Sequence, residues 1–170
     1  MPGRGFETMI QSDFKHAMRR LATTVSIITT RDEICNRGMV ATAVVPICAD
    51  PPTMMIAVNR SASFHAALER AEHFCINLLA ARHLDLVAVF SGSARCIDRF
   101  AEGEWREGPA GIPILADSLA NLVCRRTRTV DEGTHTLFFG EVLDVANHAT
   151  IDPLLWMDGG PVARPSRLHP

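Results

Sequence analysis

Hydrophobic positions recur along this chain with two different periods. Phe14, Ala17, Met18 and Leu21 keep helical spacing behind Asp13, a residue type that caps helix N-termini, and predict a helix whose apolar stripe packs into the core. Residues 1–12 mix Gly, Pro, Arg and Ser without a period and read as a flexible arm. Val25-Ser26-Ile27-Ile28-Thr29-Thr30 is rich in β-branched residues and predicts a strand. The polar stretch 31–37 reads as a turn. Residues 38–45 and 53–58 are two further strands, kept apart by Asp50-Pro51-Pro52, because proline has no N–H to give a ladder. A short helix is expected from Ser61-Ala62-Ser63 to Ala71, a strand over 74–79, and a helix over 82–90 with Leu84, Val87 and Ala88 on one side.

Residues 92–113 hold many Gly, Pro and charged residues together with Arg99-Phe100 and Trp105. They read as a long surface excursion and a candidate lid. Residues 119–129 and 134–145 are the longest strand candidates, joined by Val130-Asp131-Glu132-Gly133, and Leu154-Leu155-Trp156-Met157 is a last short strand. From Gly159 onward, Pro161, Pro165 and Pro170 argue against any regular element. The expected organisation is an arm over 1–12, one domain over 13–158 and an irregular tail over 159–170. The fold class is α+β, dominated by antiparallel sheet. No βαβ alternation and no GxGxxG between a strand and a helix is present, so a Rossmann nucleotide site is excluded.

Composition narrows the function classes. A length of 170 residues with 47% hydrophobic positions is enough for one real core, and a net charge of −2 argues against a nucleic-acid binder. No apolar run approaches the ~20 residues of a membrane-spanning helix, so no membrane partner is expected. The first residues carry no apolar run of the signal-peptide kind. Cys35, Cys48, Cys75, Cys96 and Cys124 are an odd, widely spaced set without a CxxC pair. That argues against a disulfide framework or a zinc knuckle and fits a reducing cytoplasm. The histidines form no HExxH or comparable pair, and no metal site is expected.

Three segments carry candidate chemistry. Gly38-Met39-Val40-Ala41-Thr42-Ala43-Val44 places small residues along an extended strand. Something flat fits against such a backbone, and so does the neighbouring strand of a tight sheet. In Val58-Asn59-Arg60-Ser61-Ala62-Ser63-Phe64-His65 a strand ends in an amide, a guanidinium and hydroxyls ahead of a helix, a combination suited to a phosphate and also to an ordinary Ser cap. Gly133-Thr134-His135-Thr136-Leu137-Phe138-Phe139-Gly140 sets a histidine at the start of a strand, either facing a cleft or closing the turn. No Ser–Asp or Cys partner lies nearby to suggest a triad.

Taken in order, these segments resemble the short-chain flavin reductases, the flavin reductase-like domain proteins that serve as reductase components of two-component flavin monooxygenases. The resemblance runs from about Phe14 to Met157. It rests on FKHAMRRLATTVSIITT, on GMVATAV followed by ADPPTMMIAVNRSAS, on FCINLL, on Asp98-Arg99-Phe100 and on GTHTLFFGEV. It implies a split β-barrel that binds FMN or FAD, a homodimer, NADH or NADPH as co-substrate, and a partner monooxygenase that receives reduced flavin.

By the same resemblance, Ala41, Thr42, Ala43 and Val44 line the isoalloxazine, with Ile47 and Cys48 continuing that wall. Asn59, Arg60, Ser61, Ala62 and Ser63 form the phosphate and ribityl site. Phe90, Ser91 and Gly92 make a turn beside the flavin, and His135 stands near the nicotinamide or flavin as the catalytic residue. Val45-Pro46-Ile47-Cys48 departs from a family segment resembling Cys-Ser-Val-Ser, Val40 stands where Thr is usual and Thr24 where Gly is usual. Trp156-Met157-Asp158-Gly159-Gly160-Pro161 replaces the closing aromatic-Arg-Gly-aromatic segment, and the chain has no Tyr. Two other expectations use the same residues: a flavin-binding electron-transfer or interaction protein without turnover, and a reductase of another acceptor such as a corrinoid.

Overall fold

The computed structural model describes residues 4–92 and 99–162. Seven strands build the principal sheet: β2 (Ser26–Arg31), β3 (Asn36–Ala41), β4 (Val44–Ala49), β5 (Pro52–Asn59), β6 (His73–Leu78), β9 (Ala120–Glu132) and β10 (His135–Asn147). Their order is β3-β2-β6-β9-β10-β5-β4, and every neighbouring pair is antiparallel. The two edges, β3 and β4, are consecutive in the chain and linked only by Thr42-Ala43. A flat sheet of this width would hold its edges about 29 Å apart. Two linking residues reach only about 11 Å. The sheet therefore curls until its edges approach, although no β3–β4 ladder closes it.

The apolar periodicity explains which side faces inward. Along β5, Met54, Ile56 and Val58 alternate with half-buried neighbours and point into the curl, where they meet Ile28, Phe64, Leu68, Phe74, Ile76 and Phe138. Phe74 and Phe138 are fully buried, each a gain of about 1.5–3 kcal/mol. Ile27 on the outer face of β2, and Val25 just before the strand, are buried against Leu86 and Phe90 of α3 (Leu84–Ser91). Buried Asn77 ties four segments together. Its Oδ1 accepts from the Leu115 amide and from Asn121 Nδ2, both at 2.9 Å, and its Nδ2 donates to the Ile27 carbonyl. Burial pushes the thiols of Cys75 and Cys124 up to about 12, which makes them inert packing groups.

Several expectations need correction. Helix α1 spans Arg4–Met18 without a break, so Asp13 lies inside it and is not its cap. Glu7, Met9 and Gln11 are good helix formers and carry the helix upstream. The stripe expected in the core is outside: Phe14 is 59% exposed and Met18 42%, and Leu21 just past the helix is exposed too, because the rest of the chain does not cover them. The strand expected over 38–45 is two strands turning at Thr42-Ala43, and Pro46 lies within β4. That edge position tolerates a missing N–H, and a bulge follows at Ile47.

The excursion over 92–113 contributes a hairpin, β7 (Trp105–Glu107) with β8 (Pro113–Leu115), and β8 is buried. The end of the chain also holds structure. Short β1 (Thr23–Thr24) and β11 (Leu155–Met157) pair, and β12 (Gly160–Val162) adds to β11 despite Pro161, again on an edge. Cys96, Asp98, Pro165 and Pro170 lie outside the described residues. Among the described residues no helix is long and apolar enough to cross a membrane.

Candidate functional site

Strand β5 is the spine of the site. On one side its Ala57 amide donates to the Ala43 carbonyl at 3.0 Å, and Val44 faces Ile56, so the β3–β4 corner is held against its second half. On the other side β10 pairs with it, and His135 stands opposite Asn59. Three segments far apart in sequence therefore meet at the C-terminal end of one strand.

Beyond Asn59 the chain does not enter a helix at once. The Asn59 Oδ1 accepts from both the Ser61 amide and the Ser61 hydroxyl at 2.9 Å, and the Asn59 carbonyl accepts from the Ala62 amide. This is an Asx-type turn, and it forms because a short amide side chain reaches the backbone two residues on. Helix α2 (His65–Arg70) starts only afterwards, with Phe64 ahead of it and no side-chain cap. The expected helix start at Ser61-Ala62-Ser63 is thus a polar turn. Its one cation is Arg60, whose amide donates to the Thr134 carbonyl at 2.9 Å. The Arg60 Nη2 donates to the Gly133 carbonyl, and Nη1 stands 3.7 Å from Asp131 Oδ2. A guanidinium has five N–H groups, so most of its donor capacity stays open to an anion.

His135 opens β10 after a two-residue turn at Gly133-Thr134. Gly133 has φ +55°, the left-handed conformation such tight hairpin turns require. The imidazole is exposed, and its Nδ1 is 2.9 Å from the Thr134 hydroxyl, a contact that orients the ring while leaving Nε2 uncommitted. The next residue, Thr136, points to the opposite face and is buried.

The β3–β4 corner borders a groove of about 740 Å³. It is lined by Val25, Val40 and Thr42, by Leu84, Val87, Ala88 and Ser91 of α3 and its end, and by Asp85 and Trp156. Its walls are largely apolar with few polar groups, as suits a planar heteroaromatic ring. Thr42 and Ala43 are exposed there, and Val44 is half-buried.

The structure brings together Ala41, Thr42, Ala43, Val44, Asn59, Arg60, Ser61, Ala62, Ser63 and His135 around the end of β5. Ser91 joins Thr42 in the groove wall. Phe90 contributes through backbone position only: its ring is buried against Phe100 and Trp105, beneath Gly38. Gly92 is exposed, and its carbonyl accepts from Arg99 Nη2 at 2.5 Å, while Arg99 Nη1 donates to the Gly38 carbonyl at 3.0 Å. Ile47 and Cys48 are exposed on the β4 edge at its far end, where Cys48 pairs with Thr53. Six strand residues, roughly 20 Å, separate that end from Asn59.

Sequence reasoning missed two features. The clamp of Arg99 on the end of α3 is one. The other is a chain in which buried Thr136 Oγ1 lies 2.9 Å from buried His65 Nε2 and 2.6 Å from Oδ1 of exposed Asp131. Hairpin register pairs Thr136 with Asp131, five residues away, but no spacing signal links either to His65, 71 residues from Thr136.

A sequence profile of the flavin reductase like domain matches residues 18–163. The FMN reductase (NADH) RutF of Variovorax paradoxus (strain S110) is 34% identical over 158 residues, covering 93% of this chain and 88% of that protein. RutF of Stutzerimonas stutzeri (strain A1501) is 36% identical over 148 residues, 87% of this chain and 85% of its own. Nitrilotriacetate monooxygenase component B from Mycobacterium thermoresistibile superposes with a TM-score of 0.88 at 28% identity, over 96% of this chain and 92% of that one.

Proposed function

The chain belongs to the flavin reductase like domain family, and from that premise we propose that it is a reduced-nicotinamide-dependent flavin reductase built on a split β-barrel. The observation that carries this reading is the convergence on β5 of an exposed small-residue corner, a polar turn with an arginine, and an exposed histidine. The groups present fit the ligand: an apolar groove beside Thr42 for a ring system, and serine hydroxyls with a guanidinium at the β5 end for a phosphate, the amides of Arg60, Ser61 and Ala62 being engaged within the protein.

A bound flavin supplies the hydride acceptor, and the reduced nicotinamide supplies the hydride. The chain's contribution is binding and alignment. Thr42 and Ala43 offer backbone against the ring, Asn59 shapes the turn that meets the phosphate, and Arg60 answers its charge. His135, with Nδ1 engaged by Thr134, orients the nicotinamide or donates from Nε2 toward charge developing on the ring. The names of the relatives support FMN and NADH as the preferred pair.

A monooxygenase that accepts reduced flavin is the proposed partner, supported by the name of the component B relative. A second copy of the chain, covering the exposed Phe14, Met18 and Leu21 stripe, gives a homodimer, and the proposed location is the cytoplasm. The deciding experiment is nicotinamide oxidation by purified protein with each flavin and each nicotinamide. Turnover with FMN and NADH is expected. Tight flavin binding without turnover in any combination overturns the reductase reading.

A further inference from the structure

The hydrogen-bonded chain behind Arg60, buried at His65 and Thr136 and exposed at Asp131, has a direction. Thr136 is 4% exposed, and its hydroxyl has one proton and two lone pairs. The Asp131 carboxylate accepts only, so at 2.6 Å it takes the Thr136 proton. Thr136 Oγ1 is then left to accept from His65 Nε2 at 2.9 Å, which sets the proton of His65 on that nitrogen. The imidazole is fixed in turn by burial at the start of α2 and by edge-on contact with the Phe138 ring. Cross-strand pairing holds Thr136 opposite Asp131 in β9, so the junction rests on rigid backbone.

The other Asp131 oxygen, Oδ2, faces Arg60 Nη1 at 3.7 Å, and the Gly133 carbonyl takes Arg60 Nη2. The guanidinium therefore donates to one carbonyl of this hairpin and stands beside the hairpin's carboxylate, which Thr136 holds by a hydrogen bond. An exposed arginine without such support samples many rotamers and loses that freedom when it captures an anion. Holding it in place beforehand reduces the loss.

We propose that Thr136 is a positioning residue for the flavin phosphate: through the relay His65–Thr136–Asp131 it fixes the carboxylate that aims Arg60. The proposal rests on the reading of Arg60 as the phosphate's cation. It concerns orientation and not charge, because Thr136 carries none, so Thr136→Val tests it without altering the field around the phosphate.

The test compares FMN with riboflavin, which lacks the phosphate, by quenching of flavin fluorescence in wild type, Arg60→Ala, Thr136→Val, Thr136→Ser and the double variant His65→Phe/Thr136→Val. The readout is the preference for FMN over riboflavin, which general loosening of the fold leaves unchanged. Thr136→Val is expected to reduce that preference about tenfold, and Thr136→Ser, which keeps the hydroxyl, to restore it. If Thr136→Val strands the His65 nitrogen and fails to fold, the double variant removes both partners and carries the same expectation. An unchanged preference in Thr136→Val or in the double variant, with Arg60→Ala still selective against FMN, overturns the positioning role and leaves the phosphate reading standing. Arg60→Ala that weakens both flavins alike overturns the phosphate reading itself.

Discussion

His135 and Asn59 occupy opposing positions across the β10–β5 ladder, and the Arg60 amide donates to the carbonyl of Thr134 beside them. The imidazole and the polar turn are thus two faces of one backbone junction. The histidine belongs to the same backbone unit as the Asn59 turn although 75 residues of chain lie between them.

His135→Ala is expected to slow hydride transfer while leaving FMN affinity within a few-fold. If Nε2 acts as a preorganised donor, the rate falls by up to ~100-fold. A purely orienting role appears mainly in the nicotinamide KM. Stopped-flow reduction of bound flavin, run beside a thermal melt, separates both from a structural part in the turn. A variant with a lower Tm that still reduces flavin at the wild-type rate removes His135 from the mechanism.

Arg60→Ala should weaken FMN binding roughly ten- to a hundredfold, the size of one lost charge-assisted hydrogen bond. Asn59→Ala should do comparable damage by another route, since Oδ1 of Asn59 holds both the amide and the hydroxyl of Ser61. Ser61→Ala keeps the amide contact and should cost less than either. Fluorescence titration ranks the three, and a Ser61→Ala effect larger than that of Asn59→Ala contradicts the turn geometry.

Gly38→Ala tests the floor beneath α3. A Cβ at this position lies 2.6 Å from Cε1 of Phe90, whose ring is confined by Phe100 and Trp105. Overpacking of this kind is expected to cost about 1–3 kcal/mol and lower Tm by several degrees. A melt at the wild-type temperature would mean the ring has room to move.

Phe14→Glu places a charge on the exposed stripe of α1, one turn from Met18 in the apolar run toward Leu21. Sedimentation should show wild type as a dimer at micromolar concentration and the variant as a monomer. A wild-type chain that sediments only as a monomer with full activity removes the second copy from the proposal.

The acid side of the stability curve should depend on Asp117. Burial raises its carboxyl, but hydrogen bonds from His83 and Arg82 outweigh that and hold it below the ordinary range. An unfolded aspartate takes up its proton near pH 3.9. The folded group resists until lower pH, so its contribution is complete above that value and is lost as pH falls through the depressed one. Urea midpoints between about pH 3 and pH 7 should therefore drop less steeply for Asp117→Asn than for wild type.

The antiparallel class and the long β9–β10 hairpin were legible in the chain, because β-branched runs such as 25–30 and the turn at Gly133 speak for themselves. The chemistry-bearing positions at Asn59, Arg60 and His135 were legible as three separate segments. Their meeting was not, since it depends on which strands pair and in what register. Helical spacing at Phe14, Ala17 and Met18 indicated an amphipathic helix correctly and its surroundings incorrectly: a period says that a face is apolar, and says nothing of what covers it. Asp131 sat in the sequence as part of a connection and His65 as the end of the Val58–His65 segment; their link through Thr136 depends on tertiary contact.

Pro46 has a consequence for life in a crowded cell. Edge strands invite neighbouring molecules to add a strand of their own, the first step of amyloid-like polymerisation. β4 is such an edge, with Val45 and Ile47 exposed on it. A proline offers no N–H to an incoming chain, and the bulge at Ile47 breaks the even spacing that continuous pairing needs. The exposed border of the sheet is thus a poor template for growth of a fibre.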